Sequence, residues 1–548
     1  MTSLTRRELL ATMLGAPAAL AACSTLERDR VALPGGELVG ASSRLGHVVR
    51  DRGFRPPSED AWRSIPVVIV GGGVAGLSVA WKLARSGFHD FELFELEPKA
   101  GGTSRSGRCD LTAFPWGAHY LPVPFRENEE LISLLHEVGV VEGRTRDGES
   151  IVGEQFFVRD PEERVFHRGR WYEGLYLHAG ESEDDRRQLA EFQREVDRWV
   201  AWRDGSGRRA FTIPVAQCSD DADVTSLDKL SLAEWCDEHA FNSSRLRWLL
   251  DYTCRDDYGA TLTDVSAWAG LFYFASRVRR PGDEPQPLIT WPEGNGRLVN
   301  HLLSRVSDRV RTGMAVLDIV PVDRDGTPGV DVVAFDSEQQ RTVGWHADRV
   351  IFAAPQFLTR HVIKSFRESP EELASHLNEF RHGSWMVANL QLRSRPVGLG
   401  FPLAWDNVIY DSPSLGYVVA THQRGPEFGP TVVTYYFLLC DHDPRVARSR
   451  LLELCRDEWA DVTLADLSRP HPGIRQHVER IDIMRWGHAM VRPHPEFIWS
   501  HARRHAAQPF RNIHFANADL SGIPVFEEAF HHGVRAAEGI LVASTSSQ

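Results

Sequence analysis

The stretch Pro66-Val67-Val68-Ile69-Val70-Gly71-Gly72-Gly73-Val74-Ala75-Gly76 decides the fold of this chain. Its first five residues are apolar and mostly β-branched, a pattern that favours a buried parallel strand. Residues 77–84 then read as a helix, and residues 91–95 read as a second strand. Strand, glycine-rich turn, helix and strand in this order predict a βαβ unit, and therefore an α/β fold.

The glycines of this unit follow the spacing Gly71-x-Gly73-x-x-Gly76. Gly71 allows the tight turn, Gly73 lets the backbone approach a pyrophosphate, and Gly76 lets the helix pack on the strand. The helix begins at Val74 and Ala75, whose free N–H groups and positive dipole end favour a phosphate. The spacing therefore predicts a dinucleotide site.

The acidic residue that such a site needs is Glu95, which ends the second strand 19 residues after Gly76. Its carboxylate can accept hydrogen bonds from both hydroxyls of a ribose, and it would repel a 2′-phosphate. The pattern therefore argues against NADP. A glycine turn that binds nothing is the alternative.

Composition limits what else the chain can be. At ~100–200 residues per domain, 548 residues correspond to two to four domains. A hydrophobic share of 42% and a charged share of 25% exclude a disordered chain. The formal charge of −13 argues against nucleic acid as a partner. Seven cysteines exclude a disulfide scaffold, and without a CxxC pair or an HExxH motif we predict no metal site.

Residues 1–23 have the character of an export signal. Arg6-Arg7 before Leu9-Leu10 resembles a twin-arginine signal, and Leu20-Ala21-Ala22-Cys23 resembles the lipobox of bacterial lipoproteins. We therefore expect export by the twin-arginine route to the periplasm, and membrane attachment through a lipid on Cys23. The alternative is a general secretory signal in which both features occur by chance. Residues 24–61 show no persistent apolar period and are predicted to be a tether with a wrapping segment.

Further motifs lie downstream of the βαβ unit. Gly101-Gly102 closely follows the second strand, and Trp116-Gly117-Ala118-His119-Tyr120 comes next. Near the C-terminus, Asp519 ends a strand and turn, and residues 524–537 read as a helix starting around Phe526-Glu527. Together these segments resemble the flavoprotein amine oxidase superfamily.

The resemblance implies that the nucleotide is FAD. It places the Gly-Gly pair on the pyrophosphate and ribityl chain, Asp519 on a ribityl hydroxyl, and Val316 against adenine through its backbone. A helix N-terminus at the flavin C2 carbonyl would stabilise the negative charge of reduced flavin. No Cys or His stands at an obvious attachment position, so we predict noncovalent FAD. The FAD contacts implied by the resemblance are Gly101, Gly102, Gly117, Ala118, His119, Val316, Asp519, Phe526 and Glu527.

The same resemblance implies the architecture. It is a discontinuous Rossmann-like FAD-binding domain with an inserted α+β substrate domain. We assign residues 62–122, 286–356 and 505–548 to the FAD-binding domain, and residues 123–285 and 357–504 to the substrate domain.

The chain departs from the family pattern in two places. Typical amine oxidases of this family carry a lysine on a substrate-domain strand and an aromatic pair beside the flavin. The lysine position aligns with Val387, and one position of the aromatic pair aligns with Val525. Trp486 and His488 are our candidate catalytic residues as lining of the substrate pocket, although both would be equally ordinary as core or surface groups.

These departures leave three functions open. The first is an FAD-dependent oxidoreductase that removes a hydride from a small organic substrate, an amine among the candidates, and passes the electrons to O2 or a membrane quinone. The second is a C–C desaturase or isomerase acting on a lipophilic substrate, as in phytoene desaturase-like and protoporphyrinogen oxidase-like proteins. The third is a lipoprotein that binds FAD without catalysis.

Overall fold

The computed structural model describes residues 33–51, 54–425, 428–440 and 443–545. The predicted export signal, with Cys23, lies outside the described residues. The strands are β1 (Trp62–Val70), β2 (Phe91–Phe94), β3 (Ser106–Arg108), β4 (Ala113–Pro115), β5 (Tyr120–Pro122), β6 (Val141–Arg144), β7 (Ser150–Val152), β8 (Glu163–His167), β9 (Arg170–Glu173), β10 (Leu288–Thr290), β11 (Val310–Arg311), β12 (Met314–Arg324), β13 (Thr327–Asp336), β14 (Arg341–Phe352), β15 (His382–Leu392), β16 (Asp406–Ile409), β17 (Ser414–Val419), β18 (Thr431–Leu438), β19 (Val478–Val491) and β20 (Ile513–Phe515). The α-helices are Ser43–Asp51, Val74–Arg85, Glu129–Glu137, Glu183–Ala201, Ala222–Thr225, Leu232–Glu238, Ser244–Tyr258, Ala267–Ala275, Gly296–Ser304, Thr359–Val362, Lys364–Glu368, Pro370–Leu373, Pro444–Glu453, Arg456–Leu467, Ile474–His477, His501–Ala506 and Phe526–Thr545.

The first sheet confirms the predicted βαβ unit. Strand β1 pairs in parallel with β2 on one side and with β14 on the other. The C-terminal strand β20 pairs in parallel with the end of β14, and β11 pairs in parallel with β2. Residues 67–70 of β1 are buried, as a parallel sheet covered on both faces requires. Strands distant in sequence thus meet at one carboxyl edge, where such folds bind nucleotides.

The second sheet has the order β19-β15-β18-β17-β16-β8-β9. Strand β15, second in this order, is buried on both faces, because alternate residues enter two different apolar clusters. Met386 and Ala388 pack with the helices Pro444–Glu453 and Arg456–Leu467, whereas Trp385 and Val387 pack on the other side. That other side also holds Trp116, so it faces the glycine-rich end of the first sheet.

Of the tether and wrapping segment predicted over residues 24–61, the part from Leu33 onward wraps along strand β19. Gly35 and Leu38 form parallel bridges with Arg480 and Ile483 of β19. The Glu37 N–H donates to the Asp482 carboxylate at 2.8 Å. Periodicity could not show this, because the segment gains its stability from an edge strand rather than from an apolar face of its own. It is a wrapping segment that ends in the helix Ser43–Asp51.

Several other expectations concern what the fold does not contain. The part of the chain that is described includes no helix long and apolar enough to cross a membrane. Within the same ranges, no group of His, Cys, Asp and Glu is arranged to hold a metal ion. Cys218, Cys236 and Cys254 are buried free thiols. The domain boundaries stay a prediction, although the two sheets draw their strands largely from the segments assigned to each domain.

Candidate active site

The glycines after β1, Gly71, Gly73 and Gly76, form an open turn that we name the cradle. Gly71 has a φ of +106°, and a Cβ on Gly76 would overlap the Gly71 carbonyl oxygen, so neither position accepts a larger residue without strain. Gly73 differs, since a Cβ at this position would have only the Gly102 Cα within 4 Å, at 4.0 Å. Gly73 and Gly102 therefore leave exposed backbone facing each other at the N-terminus of the helix Val74–Arg85. This is the space that a pyrophosphate needs.

Glu95 stands beside this cradle. Its Oε2 accepts the Gly72 N–H at 2.7 Å, and its Oε1 accepts the Glu97 N–H at 2.8 Å. Burial raises the pKa of Glu95 to about 6, against the effect of these two hydrogen bonds. The Met314 N–H donates to the Glu95 carbonyl, so the strand that carries Val316 starts next to the predicted ribose site.

Asp519 and the helix Phe526–Thr545, which we name the clasp, pack next to this cradle. The Asp519 Oδ2 accepts the Gln356 N–H at 2.8 Å and contacts the His382 Nε2 at 3.0 Å. The helix Phe526–Thr545 crosses the helix Val74–Arg85 so closely that a Cβ on Gly533 would overlap the Ala75 carbonyl oxygen. The N-termini of two helices and one carboxylate thus face the same space, which suits the pyrophosphate, ribityl chain and flavin C2 carbonyl of FAD.

A cavity of about 130 Å³ lies at the end of this cradle. Val387 and Val525, the positions where the lysine and an aromatic residue were missing, both line it, as does Trp486. The remaining wall comes from the predicted FAD contacts and from the second sheet. These other lining residues include Thr103, Gly117, Ala118, His119, Tyr120, Asp256, Asp257, Arg277, Asn295, Trp385, Tyr436, Met490, Phe526 and Glu527.

A ring pair stands at the far side of this cavity. The rings of His119 and Tyr436 stack with their centroids 5.0 Å apart, and the Tyr436 hydroxyl donates to the Gly117 carbonyl at 2.9 Å. The Trp405 ring packs against the His119 ring, with the two ring centroids 5.4 Å apart. Burial lowers the pKa of His119 to about 4, so its imidazole is neutral at pH 7.

Behind the ring pair is a second, smaller space of about 40 Å³, which we name the acid chamber. It shares five lining residues with the first cavity, so the two are neighbours across the same side chains. Its own lining adds two carboxylates, Glu163 and Asp406. The shared residues are His119, Tyr120, Asp256, Arg277 and Tyr436.

The acid chamber holds more carboxylates than cations. Arg277, the one arginine or lysine among its described lining residues, donates to the Asp257 Oδ2 at 2.5 Å, and the Tyr120 hydroxyl donates to the Asp257 Oδ1 at 3.0 Å. The described chain offers no hydrogen-bond donor to the Glu163 carboxylate. The Asp406 carboxylate receives a long hydrogen bond from the Tyr252 hydroxyl, at 3.4 Å, and interacts with the backbone N–H of Asn407. One arginine thus serves the three acidic side chains that line the chamber and also Asp257, which lines the adjoining cavity.

Burial and mutual repulsion shift these carboxylates. Burial first, and then the neighbouring acids, raise the pKa of Glu163 to about 8 and hold the pKa of Asp406 well above its usual range. The pKa of Asp256 rises to about 7, by burial and by the adjacent Asp257. A cation that entered the chamber would stabilise the ionised forms of these groups.

Sequence reasoning missed the acid chamber. Its acids come from β8, from the helix Ser244–Tyr258 and from β16, and they form no motif along the chain. One signal was present, because Asp256 and Asp257 occupy the last turn of a helix, where the macrodipole disfavours negative charge. Acids placed against the dipole indicate a role other than helix stability.

The two candidate catalytic residues have different outcomes. Trp486 lines the cavity, and its indole N–H donates to the Trp116 carbonyl at 2.6 Å. His488 is outside the cavity wall, where its ring stacks on Phe357 with centroids 3.9 Å apart. The physical reason is a bulge in β19, which breaks the alternation of side chains between Trp486 and Met490.

Comparisons with known proteins agree with this geometry. The model of the flavin containing amine oxidoreductase family matches residues 74–541. The human peroxisomal N(1)-acetyl-spermine/spermidine oxidase is 38% identical over 76 residues, a match that spans 14% of this chain and only 15% of that relative.

Solved structures share the fold. Putrescine oxidase bound to putrescine has a TM-score of 0.63 at 15% identity, over 88% of this chain and all of that one. A fatty acid isomerase from P. acnes has a TM-score of 0.58 at 16% identity, over 88% of this chain and 99% of that one. A putative protoporphyrinogen oxidase from Exiguobacterium has a TM-score of 0.57 at 16% identity, over 88% of this chain and all of that one. The chain belongs to the flavin containing amine oxidoreductase family and is an FAD-dependent oxidoreductase.

Proposed function

We propose that the protein oxidises an organic amine that carries a second cationic group. The acid chamber is the observation that supports this proposal. Ionising Glu163 or Asp406 inside the chamber is costly without a counter-ion, which is why their pKa values are raised. Arg277 is already engaged by Asp257. A substrate with a distal ammonium would offset that cost by pairing with Glu163 and Asp406, which line the chamber. A monoamine would leave those carboxylates unpaired.

The position of the reacting nitrogen follows from the same arrangement. With a distal cation in the acid chamber, the chain of the substrate passes the His119–Tyr436 ring pair toward Val387, Val525 and Trp486. The aromatic rings provide a flat wall for the methylene groups and attract cations through their faces. FAD bound there would supply a two-electron acceptor, and the neutral amine would become an iminium cation by loss of a hydride from its α-carbon.

The reacting amine must lose a proton before it can lose a hydride. Asp256 lines both the cavity and the acid chamber, and its pKa of about 7 lets it exchange protons near neutral pH. We propose that its carboxylate holds the proton released by the substrate. No lysine lines the cavity within the described chain, so this route would replace the lysine of typical family members.

The second candidate function is C–C desaturation or isomerisation of a lipophilic substrate. Val387 and Val525 favour it, because they make the flavin end of the cavity apolar. The acid chamber argues against it, since an oily chain gains nothing from buried carboxylates. A third candidate, an FAD-binding lipoprotein without catalysis, requires that no substrate reduces the bound flavin.

The test is anaerobic reduction of the purified yellow protein by matched monoamines and diamines of equal chain length. We expect bleaching by the diamine at lower concentration. Glu163→Gln and Asp406→Asn should each raise the diamine KM about tenfold, as loss of a charge-assisted contact implies, and leave the monoamine KM unchanged. Glu154→Gln, on an exposed turn, is the control. Bleaching only by fatty acids or other lipids would establish the second function instead.

The electron acceptor and the location of the protein belong to the same proposal. We propose export by the twin-arginine route, an acylated Cys23 at the periplasmic side of a membrane, and O2 or a quinone as the acceptor. Admitting air to the reduced protein, with hydrogen peroxide measured, separates the two acceptors. A protein that reoxidises only with added quinone passes its electrons to the membrane.

A further inference from the structure

A second hollow, of about 610 Å³, shares no lining residue with the active-site cavity or the acid chamber. It lies where β15 ends and where the helix Ile474–His477 leads into β19. We name it the arginine hollow after its three cationic lining residues, Arg159, Arg164 and Arg395. The described active site makes no use of it.

The charge of the arginine hollow is positive. Its three arginines face a single acidic residue among the described lining, Asp160. Arg164 is buried, yet its guanidinium donates only to neutral groups: the Asn407 side chain at 2.5 Å, the Phe401 carbonyl at 3.0 Å and the Tyr417 hydroxyl at 3.2 Å. An arginine stays protonated in a protein, so this charge cannot be removed by titration. The hollow therefore attracts an anion.

The network behind Arg164 keeps that charge fixed. The His471 Nδ1 lies 2.7 Å from the Val397 carbonyl, which makes Nδ1 the donor and leaves Nε2 to accept from the Tyr417 hydroxyl, also at 2.7 Å. Burial lowers the pKa of His471 to about 4, so the ring is neutral. Throughout the neutral pH range, His471 therefore adds no charge to this wall, and the arginines supply its positive charge.

The rim of the arginine hollow is apolar and exposed. Val397 is 85% exposed, Phe428 is 82% exposed, and Leu399, two residues after Val397, is 67% exposed. Val397 and Phe428 line the hollow directly. Single exposed apolar residues are ordinary, but these are among the most exposed large apolar side chains of the described chain and they stand together. Apolar tips around basic side chains are typical of a surface that sits in a lipid headgroup region.

The start of the described chain lies on the same side. Leu33 packs against the apolar cluster that contains Ile474 and Val478, and Ile474 also lines the hollow. Cys23, the predicted acylation site, precedes Leu33 by ten residues, a length that spans at most ~36 Å. An acyl chain on Cys23 would therefore keep the start of the described chain, next to the strand that follows the helix Ile474–His477, within reach of the bilayer.

We propose that the arginine hollow and its rim dock on an anionic membrane surface. Lipid phosphates meet Arg159 and Arg395, buried Arg164 adds its positive charge from behind, and Val397, Leu399 and Phe428 enter the headgroup region. The whole chain carries a charge of −13, so its overall field repels such a surface, and binding must come from this local patch. This inference does not depend on which amine is oxidised.

The test uses the full chain carrying Cys23→Ser, so that no acyl chain contributes. We expect co-sedimentation with vesicles of phosphatidylcholine plus phosphatidylglycerol, weak binding to phosphatidylcholine alone, and loss of binding at high salt. Arg395→Gln should lower the partition coefficient about fivefold, as the loss of one charge near the surface implies. The double variant Val397→Ser, Phe428→Ser should lower it as well.

Matched controls lie far from the hollow in sequence. Arg194→Gln removes an exposed charge on the helix Glu183–Ala201, and Ile151→Ser removes an exposed apolar side chain on β7. Both should bind like the parent. Equal binding to the two vesicle types, or unchanged binding by Arg395→Gln, would overturn the proposal. So would full competition by soluble glycerol phosphate with no effect of the rim variants, because that result describes a site for a small soluble anion.

Discussion

The His382 Nε2 lies 3.0 Å from the Asp519 Oδ2, and both side chains are buried. His382 belongs to β15 of the second sheet, whereas Asp519 belongs to the clasp that we assign to the FAD ribityl chain. The strand that carries Val387 into the cavity therefore also holds the carboxylate of the cofactor site. This contact therefore links the proposed FAD site to the strand that lines the substrate cavity.

Replacing His382 should weaken FAD binding. His382→Ala leaves the buried Asp519 carboxylate with the Gln356 N–H as its described donor, a loss worth about 1.5–3 kcal/mol for a hydrogen bond to a charged group. Titration of the apoprotein with FAD, followed by flavin fluorescence, measures the change. His89→Ala, at an exposed position, should bind FAD like the parent. Equal affinity of His382→Ala and the parent would show that Asp519 does not depend on this contact.

The crossing of the two cofactor helices predicts opposite effects for two glycines of one helix. Gly533→Ala puts a Cβ into the Ala75 carbonyl and should destabilise the protein by about 1–3 kcal/mol, as overpacking does. A Cβ on Gly539 would have only the His514 ring within 4.0 Å. Gly539→Ala should therefore stabilise the helix by up to about 1 kcal/mol. Urea unfolding with flavin release as a second signal measures both. The prediction fails if the two variants shift the midpoint in the same direction.

The acid chamber predicts a pH dependence of stability. The pKa of Glu163 is about 8 in the folded protein against an ordinary value of 4.5, so the folded state binds the extra proton. Its contribution is therefore fully present below about 4.5 and is lost as the pH rises through about 8. Glu163→Gln removes the titration, so its free energy of unfolding should exceed that of the parent progressively more as the pH rises across this range.

A difference between parent and Glu163→Gln that does not change with pH would contradict this account of the chamber. Addition of a diamine should reduce the pH dependence of the parent, because a bound cation stabilises the ionised carboxylate. A monoamine should have a smaller effect, and it serves as the control.

The proposed export and acylation predict two separable phenotypes. Replacing Arg6-Arg7 with two lysines should leave the precursor in the cytoplasm, detected by cell fractionation. Cys23→Ser should allow export but remove the lipid, detected by the mass of the mature protein and by its release from membranes. Export of the two-lysine variant at the normal level would instead support a general secretory signal.

The pyrophosphate and ribose part of the cofactor site could be predicted from local sequence patterns. The turn geometry of Gly71, the open backbone of Gly73 and the position of Glu95 follow from a contiguous βαβ unit, whose physics is local. The position of Val387 came from the resemblance to the amine oxidase family and not from periodicity. Only the glycine-rich βαβ unit rests on short-range geometry that the chain encodes within a few residues.

The remaining features depend on contacts that no local pattern encodes. The stacking of His488 on Phe357 follows from the bulge in β19, which sets three residues against one and which no local pattern reveals. The acid chamber unites Glu163, Asp256 and Asp406 across some 240 residues of chain, and no spacing rule joins them. Only the packing of the second sheet against the helix Ser244–Tyr258 brings these carboxylates together.

The wrapping segment has a consequence for the order of assembly. The Glu37 N–H donates to Asp482, a residue 445 positions later in the chain, and Gly35 bridges Arg480 in the same strand. During synthesis the partner strand leaves the ribosome long after the first forty residues have done so. Residues 35–38 therefore cannot dock until strand β19 has been synthesised, so this contact forms only after the other strands of the second sheet are available.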